Sequence, residues 1–345
     1  MNKNNRLSSS HLFSNLEVIQ LSCCLQFTDI SHLPPFQGSA WRGVLGWQIK
    51  TLVCPFNKNT SCPKCLIRDH CPYFLLFEKS NPCPGGGDSP RGYIFQSQES
   101  GLQSQLDITL FGTCAMFTPV VIQALKRSQK IGIGARRLPF SIKEIRHDGQ
   151  IITAEDAVHV QSTTWHQWME NTHTPSSEYA FATPVRLRKN GHYLNPIDWP
   201  FFFASLARRL EGISCAFCGG NPLGKETWMA LQEKFQDYGT ITDSFVWQDM
   251  NRYSNHQHCK VPLGGLVGPF CTSDAAPWVA EWLHAARLVH VGKGAVMGLG
   301  RIEMRISQFP IPVFGTFLKR YLPKHKKMPE TNQQFCTKPN PVSAP

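Results

Sequence analysis

The stretch Val291-Gly292-Lys293-Gly294-Ala295-Val296-Met297-Gly298-Leu299-Gly300-Arg301 decides between the fold classes open to this chain. Four glycines in nine residues let a backbone come close to a bulky polyanion, because a missing Cβ removes a clash and permits φ > 0. The loop leaves a helical pattern at residues 277–289 and enters a strand pattern at 301–306. P-loops and dinucleotide fingerprints run from strand into helix, and the Gly-Lys-Ser/Thr ending of a P-loop is missing. The stretch therefore reads as a phosphate-handling turn outside the nucleotide-binding α/β folds, against the plainer reading of a flexible connection.

Working outward, the same order of patterns occurs twice. Residues 16–27 alternate apolar and polar as a strand does, and Pro34-Pro35 turns the chain. A helix suits 39–53, with Trp41, Leu45 and Ile49 at helical spacing. After a cysteine-bearing segment and the Gly85-Gly86-Gly87 break come strands at 93–96 and 105–111, a helix at 118–127 and a strand at 140–146. This is the β-α-β-β-α-β order of a ferredoxin-like unit. In the second half, 181–188 is a strand with Pro184 confining part of it to an edge, 200–213 a helix, 240–248 and 260–268 strands, 277–289 a helix and 301–306 a strand. The expectation is an α+β protein of two tandem ferredoxin-like domains, RRM-like in plan. The first spans 11–160 with a Cys-rich insertion at 54–83. A less regular stretch at 161–177 leads to the second, 178–310, which carries the glycine-rich loop at 292–300. A ligand cleft is expected between them. A basic, proline-containing tail or linker at 311–345 carries Lys319, Arg320, Lys324, Lys326 and Lys327.

At 345 residues and 41% hydrophobic, the chain can bury two cores. Thirty-five Lys and Arg against 24 Asp and Glu leave +11, which points to a polyanionic partner rather than a small neutral substrate. Charge alone does not separate nucleic acid from anionic membrane. No apolar run is long enough to span a bilayer, and residues 1–10 are polar with no apolar leader core, so a soluble cytoplasmic protein without a membrane partner is expected. In such a reducing compartment the 13 cysteines read as free thiols or metal ligands. Cys54, Cys62, Cys65 and Cys71, spaced C-x7-C-x2-C-x5-C, suit a structural zinc site; an iron–sulfur cluster would accept the same four thiolates. His70 could replace one ligand, and Cys83 is a spare. Cys215-x-x-Cys218, with Cys259 and His258 as distant partners, is a weaker metal pattern than a pair of core thiols at a helix end.

Three ordered blocks, spanning most of the chain, resemble the CRISPR precursor-RNA processing endoribonucleases of the RAMP superfamily. The first is Phe36-Gln37-Gly38-Ser39-Ala40-Trp41-Arg42-Gly43-Val44-Leu45-Gly46 with the four cysteines and residues 73–78. The second joins Leu110-Phe111-Gly112, Ile131-Gly132-Ile133-Gly134 with Arg136 and Arg137, and Thr183-Pro184-Val185-Arg186-Leu187-Arg188. The third holds Trp247, Arg252-Tyr253-Ser254-Asn255-His256-Gln257, Gly264-Gly265-Leu266-Val267-Gly268 and residues 290–300.

The resemblance implies metal-independent cleavage of CRISPR repeat RNA into guide RNAs, the 2′-hydroxyl attacking the adjacent phosphate to leave a 2′,3′-cyclic phosphate. Such chemistry needs a base, an acid and a cation at the phosphorane, and no catalytic cofactor; any zinc would be structural. Histidine suits the proton steps. In relatives the catalytic histidine lies between the first strand and first helix, where His32 stands here. His256 competes, because it replaces the second arginine of the family's Arg-Tyr-Ser-x-Arg-Gln block. Arg252 is a phosphate ligand candidate, Tyr253 a base-stacking or core residue, and Lys293 the cation of the glycine loop. His290, at a helix end, is expected to pack or cap. Arg136, Arg137, Arg186, Arg188, Lys189, Gly292, Gly294, Gly298, Gly300 and Arg301 are expected along the RNA path. Expected partners are repeat RNA or its processed product, CRISPR effector-complex subunits, or a fused adaptation module. The competing function is a catalytically silent RNA-binding RAMP subunit of an effector complex. A zinc hydrolase is disfavoured because four cysteines leave no open coordination position.

Overall fold

The computed structural model describes residues 6–56, 61–79, 90–172, 176–254 and 259–304, the side chains of Tyr253 and Ser254 excepted. In chain order its elements open with α1 (Ser9–Leu12), β1 (Glu17–Phe27), α2 (Gly38–Val53), β2 (Tyr93–Ser100), β3 (Gln103–Phe111), α3 (Thr118–Ile131), β4 (Phe140–His147) and β5 (Gln150–Ile151). There follow β6 (Thr163–Thr164), α4 (Trp165–Thr172), β7 (Glu178–Val185), β8 (Arg188–Lys189), β9 (His192–Tyr193), α5 (Trp199–Phe217) and α6 (Lys225–Gln236). The last are β10 (Thr242–Asp243), β11 (Val246–Gln248), β12 (Asn251–Ser254), β13 (Cys259–Pro262), β14 (Gly265–Cys271), α7 (Trp278–Val289) and β15 (Ile302–Met304). The fold is mixed α/β with antiparallel sheets.

Each half follows one plan. In the first sheet the order is β2-β3-β1-β4-β5, every pair antiparallel. Strand β1 turns Leu21, Cys23, Leu25 and Phe27 to one face at a period of two, and all four are buried. Helix α2 covers them with Trp41, Leu45 and Ile49, one turn apart, the Trp41 ring meeting Phe140 of β4 edge-on at 5.2 Å. In the second sheet the order is β10-β14-β7-β15, with β11 also on β14. Taking β10 and β11 together, both sheets read second–third–first–fourth strand. Helix α5 starts on Asp198, whose carboxylate accepts the Phe201 N–H at 2.9 Å, and it buries Phe202, Phe203, Leu206 and Leu210.

Four details differ from the sequence expectation. The stretch 240–248 is two short strands rather than one. The stretch 260–268 is broken at Gly264-Gly265: Cys259–Pro262 pairs with Asn251–Ser254 as a separate hairpin, and only Gly265–Cys271 joins the sheet. A Cβ on Gly264 would lie 2.8 Å from the Gln248 carbonyl, and one on Gly265 would overlap that of Val185, so both glycines serve close backbone crossings. Pro184 lies in a central strand, between β14 and β15, and not at an edge. It is tolerated because β15 pairs only with Tyr179–Phe181, and beyond that the neighbour is the glycine-rich loop, whose Gly300 N–H donates to the Pro184 carbonyl at 3.0 Å. The irregular stretch at 161–177 contains α4, whose Trp168 stacks on Trp165 at 5.5 Å and on His284 of α7 at 4.7 Å.

That stack, with the hydrogen bonds Ser9–Glu281, Asn15–Cys218 and Gln98–Glu303, joins the two halves within one compact unit. Among the described residues no helix is long and apolar enough to cross a membrane.

Leu45 and Trp47 lie two residues apart on α2 with opposite burial, 0% and 54% exposed. Leu45→Ala should cost about 2–5 kcal/mol in urea unfolding, through lost burial and the cavity left behind. Trp47→Ala should stay within about 0.5 kcal/mol.

Candidate functional site

Between β1 and α2 the chain makes a tight turn on Asp29, whose carboxylate accepts the Ser31 N–H at 2.7 Å and the Ser31 hydroxyl at 2.9 Å. These bonds, then the charge of Arg136, hold the Asp29 carboxyl below the usual carboxylate range. His32 follows, exposed, with Nε2 at 2.6 Å from Nη1 of Arg136. Guanidinium has no acceptor, so in this contact Nε2 stands as the acceptor. Arg136 reaches it from the turn between α3 and β4. There Gly132 and Gly134 take φ of 76° and 79°, and Gly134 lies against the Pro34 ring. Arg137, exposed at φ 50°, continues that turn.

The glycine-rich loop lies at the other end of the same segment. Gly292, Gly294, Gly298 and Gly300 all take positive φ, 91°, 87°, 89° and 68°. Each absent Cβ faces protein: the Arg186 backbone, the Leu299 side chain, the Phe95 and Gln96 backbone of β2, and the Val291 backbone respectively. These glycines therefore fold the loop onto its own domain and onto β2. Met297 stands against the first residue of α2, where a Cβ on Gly38 would overlap its carbonyl oxygen. The loop is pinned further by Lys293 N–H to Arg186 O at 2.9 Å, Thr183 Oγ1 to Gly298 O at 2.7 Å and Arg301 N–H to Thr183 Oγ1 at 3.0 Å. Val291, Ala295, Met297 and Leu299 point inward, and the Lys293 side chain is exposed.

The remaining cations divide by burial. Arg188 and Lys189 are exposed on the β8–β9 hairpin, Arg188 donating to Gly191 O at 2.7 Å and Lys189 paired with Asp198 at 2.7 Å. Arg186 is buried under that hairpin: its guanidinium lies 4.7 Å from the Tyr193 ring centroid and donates to the Tyr193 hydroxyl at 2.8 Å. Arg301 is 4% exposed and ion-paired with Glu303, so it faces the seam between the halves and not a surface path. Burial lowers the pKa of both arginines from the ordinary value, and Arg186 Nε, Arg301 Nε and Arg301 Nη1 have no hydrogen-bond partner among the described residues. His290 is buried, at 3.0 Å from the Gln96 side-chain oxygen; desolvation first, then the charges of Arg301 and Arg209, push its pKa well below the ordinary value. It is a packed neutral imidazole, as its place at a helix end suggested.

Arg252 stands on β12, its Nε buried with no hydrogen-bond partner among the described residues; desolvation first, then the nearby Arg42 charge, lower its pKa. Arg42, on α2 one turn after Gly38, donates to the Tyr93 hydroxyl at 3.1 Å. It belongs with the candidate residues although sequence reading singled it out only as part of a block. The base of the β12–β13 hairpin, Met250 and Leu263, packs with Phe36, Met297 and Leu299, so the hairpin, the glycine loop and the start of α2 meet. Residues 32–42 thus connect the His32–Arg136 pair to the Arg42–Arg252 pair. Such an arrangement offers an imidazole and several cations to a phosphodiester. The Tyr253 side chain and all of His256 lie outside the described residues.

Cys54, Cys62, Cys65 and Cys71 line one cavity of about 20 Å³ together with Phe56, Ile67, Tyr73 and Phe74. Number and type of donors fit zinc, yet among the described residues no group of three or more His, Cys, Asp or Glu is close enough to hold a metal ion. Cys83 and His258 lie outside the described residues. Cys218 is a partly buried thiol packed against the core, its pKa pushed by burial to about 11.

Residues 179–302 match the family model described as CRISPR-associated endoribonuclease Cas6, and residues 16–165 match a model described as an N-terminal domain. An uncharacterized protein of Archaeoglobus fulgidus is 26% identical over 307 residues, 84% of this chain and 99% of its own. Among solved structures, two Cas6 product complexes, the second from Thermus thermophilus, are each 15% identical with a TM-score of 0.50. They cover 84% of this chain and 100% and 99% of theirs. A chain of a partial Cas6-RT-Cas1–Cas2 complex is 12% identical at TM-score 0.50, covering 86% of this chain and 48% of its own. At these identities the structures establish likeness of fold.

Gly38 and Gly43 share helix α2, but a Cβ at Gly43 meets nothing within 4 Å. Gly38→Ala should destabilise the protein by about 1–3 kcal/mol through overpacking against Met297. Gly43→Ala should be neutral or stabilising by up to about 1 kcal/mol, as expected for alanine over glycine within a helix. Denaturant midpoints of the two variants check this.

Proposed function

From the premise that this chain carries a Cas6-type domain at residues 179–302, we propose that it cleaves CRISPR repeat RNA within the precursor transcript to release guide RNAs. The observation that carries this reading is the pairing of His32 with Arg136 beside α2, in a chain whose second half matches the endoribonuclease family. The halves are two ferredoxin-like domains, 11–160 and 178–310, and the repeated strand order supports this.

In the proposed reaction the 2′-oxygen attacks the adjacent phosphorus as its P–O5′ bond breaks, giving a 2′,3′-cyclic phosphate and a free 5′-hydroxyl. One proton leaves the 2′-oxygen and one reaches the 5′-oxygen. A neutral His32 takes the first proton once RNA phosphate draws Arg136 off its Nε2, and a second group donates to the leaving oxygen. His256 stands as the alternative for either proton step. Lys293 and Arg252, with Arg42, neutralise the phosphorane. No step is assigned to a metal. Cys54, Cys62, Cys65 and Cys71 would hold a structural zinc, which would order the insertion. The work is done in the cytoplasm, with the RNA product passed to effector subunits; the likeness to a chain of a Cas6-RT-Cas1–Cas2 complex supports an adaptation module as a further partner.

His32→Ala should lower the single-turnover cleavage rate in EDTA by roughly 10²–10⁴-fold, the usual contribution of a general acid or base, with RNA affinity retained. Products of the wild type should carry cyclic-phosphate ends. Wild-type cleavage by His32→Ala would transfer the role to His256, and RNA binding without any cleavage by the wild type would favour the silent subunit. Metal analysis of purified protein should find about one zinc per chain, lost in Cys62→Ser, while cleavage in EDTA persists.

A further inference from the structure

Beside the glycine loop lies a pair of exposed aromatic rings with no part in the proposed chemistry. Tyr193 of β9 is 37% exposed and Trp247 of β11 39% exposed; their centroids are 6.3 Å apart and the rings are tilted by 51°. Single exposed aromatics are ordinary, and two in contact from segments 54 positions apart are less so. Each ring is also held in place at its polar end. The Tyr193 hydroxyl accepts from Arg186 at 2.8 Å, and the Trp247 indole N–H donates to Asp249 at 3.0 Å. The hairpin beneath is stiff, because Asn190 and Gly191 take φ of 49° and 87°, the pattern of a two-residue turn that fits strand twist.

The setting is cationic. Arg188 and Lys189 rim the hairpin, and Arg186 lies under Tyr193. The backbone of Arg186 bridges to Gly292 and accepts the Lys293 N–H, so the aromatic pair and the exposed lysine of the glycine loop hang on one residue. A protein partner would call for a larger apolar surface than two rings and Val246 between charged neighbours. An unpaired base needs a fixed π-face with phosphate-binding cations close by.

We propose that Tyr193 and Trp247 form a stacking site for one unpaired nucleobase of the RNA strand that passes Lys293. The site rests on the RNA-processing reading above and names a determinant of which nucleotides are held next to the scissile region. Arg186 is a positioning residue here, since it fixes Tyr193 from beneath.

The test pairs protein variants with repeat RNAs in which one base at a time is replaced by an abasic sugar. Dissociation constants are measured for wild type, Trp247→Ala, Trp247→Phe and Tyr193→Ala, and cleavage is followed for the wild type. Trp247→Ala should bind intact RNA about 5- to 100-fold more weakly, and Trp247→Phe should bind nearly as the wild type does. One abasic position should weaken wild-type binding to the same extent and add nothing to Trp247→Ala. Both alanine variants binding every RNA as the wild type does, or an abasic effect that adds fully to the variant at all positions, overturns the stacking site even where cleavage is normal. Binding with no cleavage by the wild type overturns the nuclease reading, while the affinities still judge the stacking site. A wild type that binds none of the RNAs overturns both.

Discussion

Residue 38 has no side chain because the Met297 carbonyl occupies that space, and the arrangement of the whole site depends on this contact. Helix α2 belongs to the first sheet and the glycine loop to the second. Backbone against helix terminus at van der Waals distance allows the two halves one relative position. The loop meets the constraint from its own side, since four positive-φ glycines fold Met297 and Leu299 inward against Phe36, Met250 and Leu263. Three cations inherit their place from that packing: Arg42 one turn along α2, Arg252 on the hairpin whose base is in the cluster, Lys293 in the loop. His32 precedes the same helix by a short turn, so its place too is tied to α2.

The seam itself is polar and short of acceptors. Arg301 is buried and Arg209 partly so, with desolvation bringing the Arg209 pKa down to about 10, and the acidic groups near Arg301 are Glu303 and, more remotely, Asp107. Arg209 Nη2, two nitrogens of Arg301 and His290 Nδ1 have no partner among the described residues. Burying donors in this way costs stability, so the seam is held by packing and by a few directed bonds such as His290–Gln96 and Gln98–Glu303. A neutral His290 lowers that cost, since a third buried cation beside two guanidiniums would be far less favourable.

The helices and strands that a local period could reveal were legible in the chain. Trp41, Leu45 and Ile49 announced α2, the alternation before Phe27 announced β1, and the helix-to-strand order around residue 291 excluded the nucleotide-binding folds. What stayed hidden depends on neighbours remote in sequence. The break at Gly264-Gly265 follows from the carbonyls of Gln248 and Val185, which only the folded sheet brings close. Helix α4 was masked because its buried tryptophans pack on α7 rather than marking an amphipathic stripe of any length. Among site residues, exposed Lys293, Arg136 and His32 lie where the motifs suggested. Arg301 reads from sequence like any other basic residue at a loop exit, and only Glu303 and the opposing β2 edge make it a seam residue.

The same limit applies to function. A run of glycines in a basic protein suggests that the ligand comes to the bare backbone, but here every missing Cβ in the loop faces protein. The glycines are therefore required for the fold of the loop, and under the proposed function phosphate would fall to side chains that the loop, the hairpin and helix α2 hold in place: Lys293, Arg252 and Arg42. The second half matches an endoribonuclease family over residues 179–302, while the histidine proposed as the first proton acceptor, His32, belongs to the first half. Packing of the two halves, set by backbone contacts with no chemistry of their own, brings these imidazole and guanidinium groups onto one side of helix α2 and the glycine loop, where the proposed chemistry needs both halves at once.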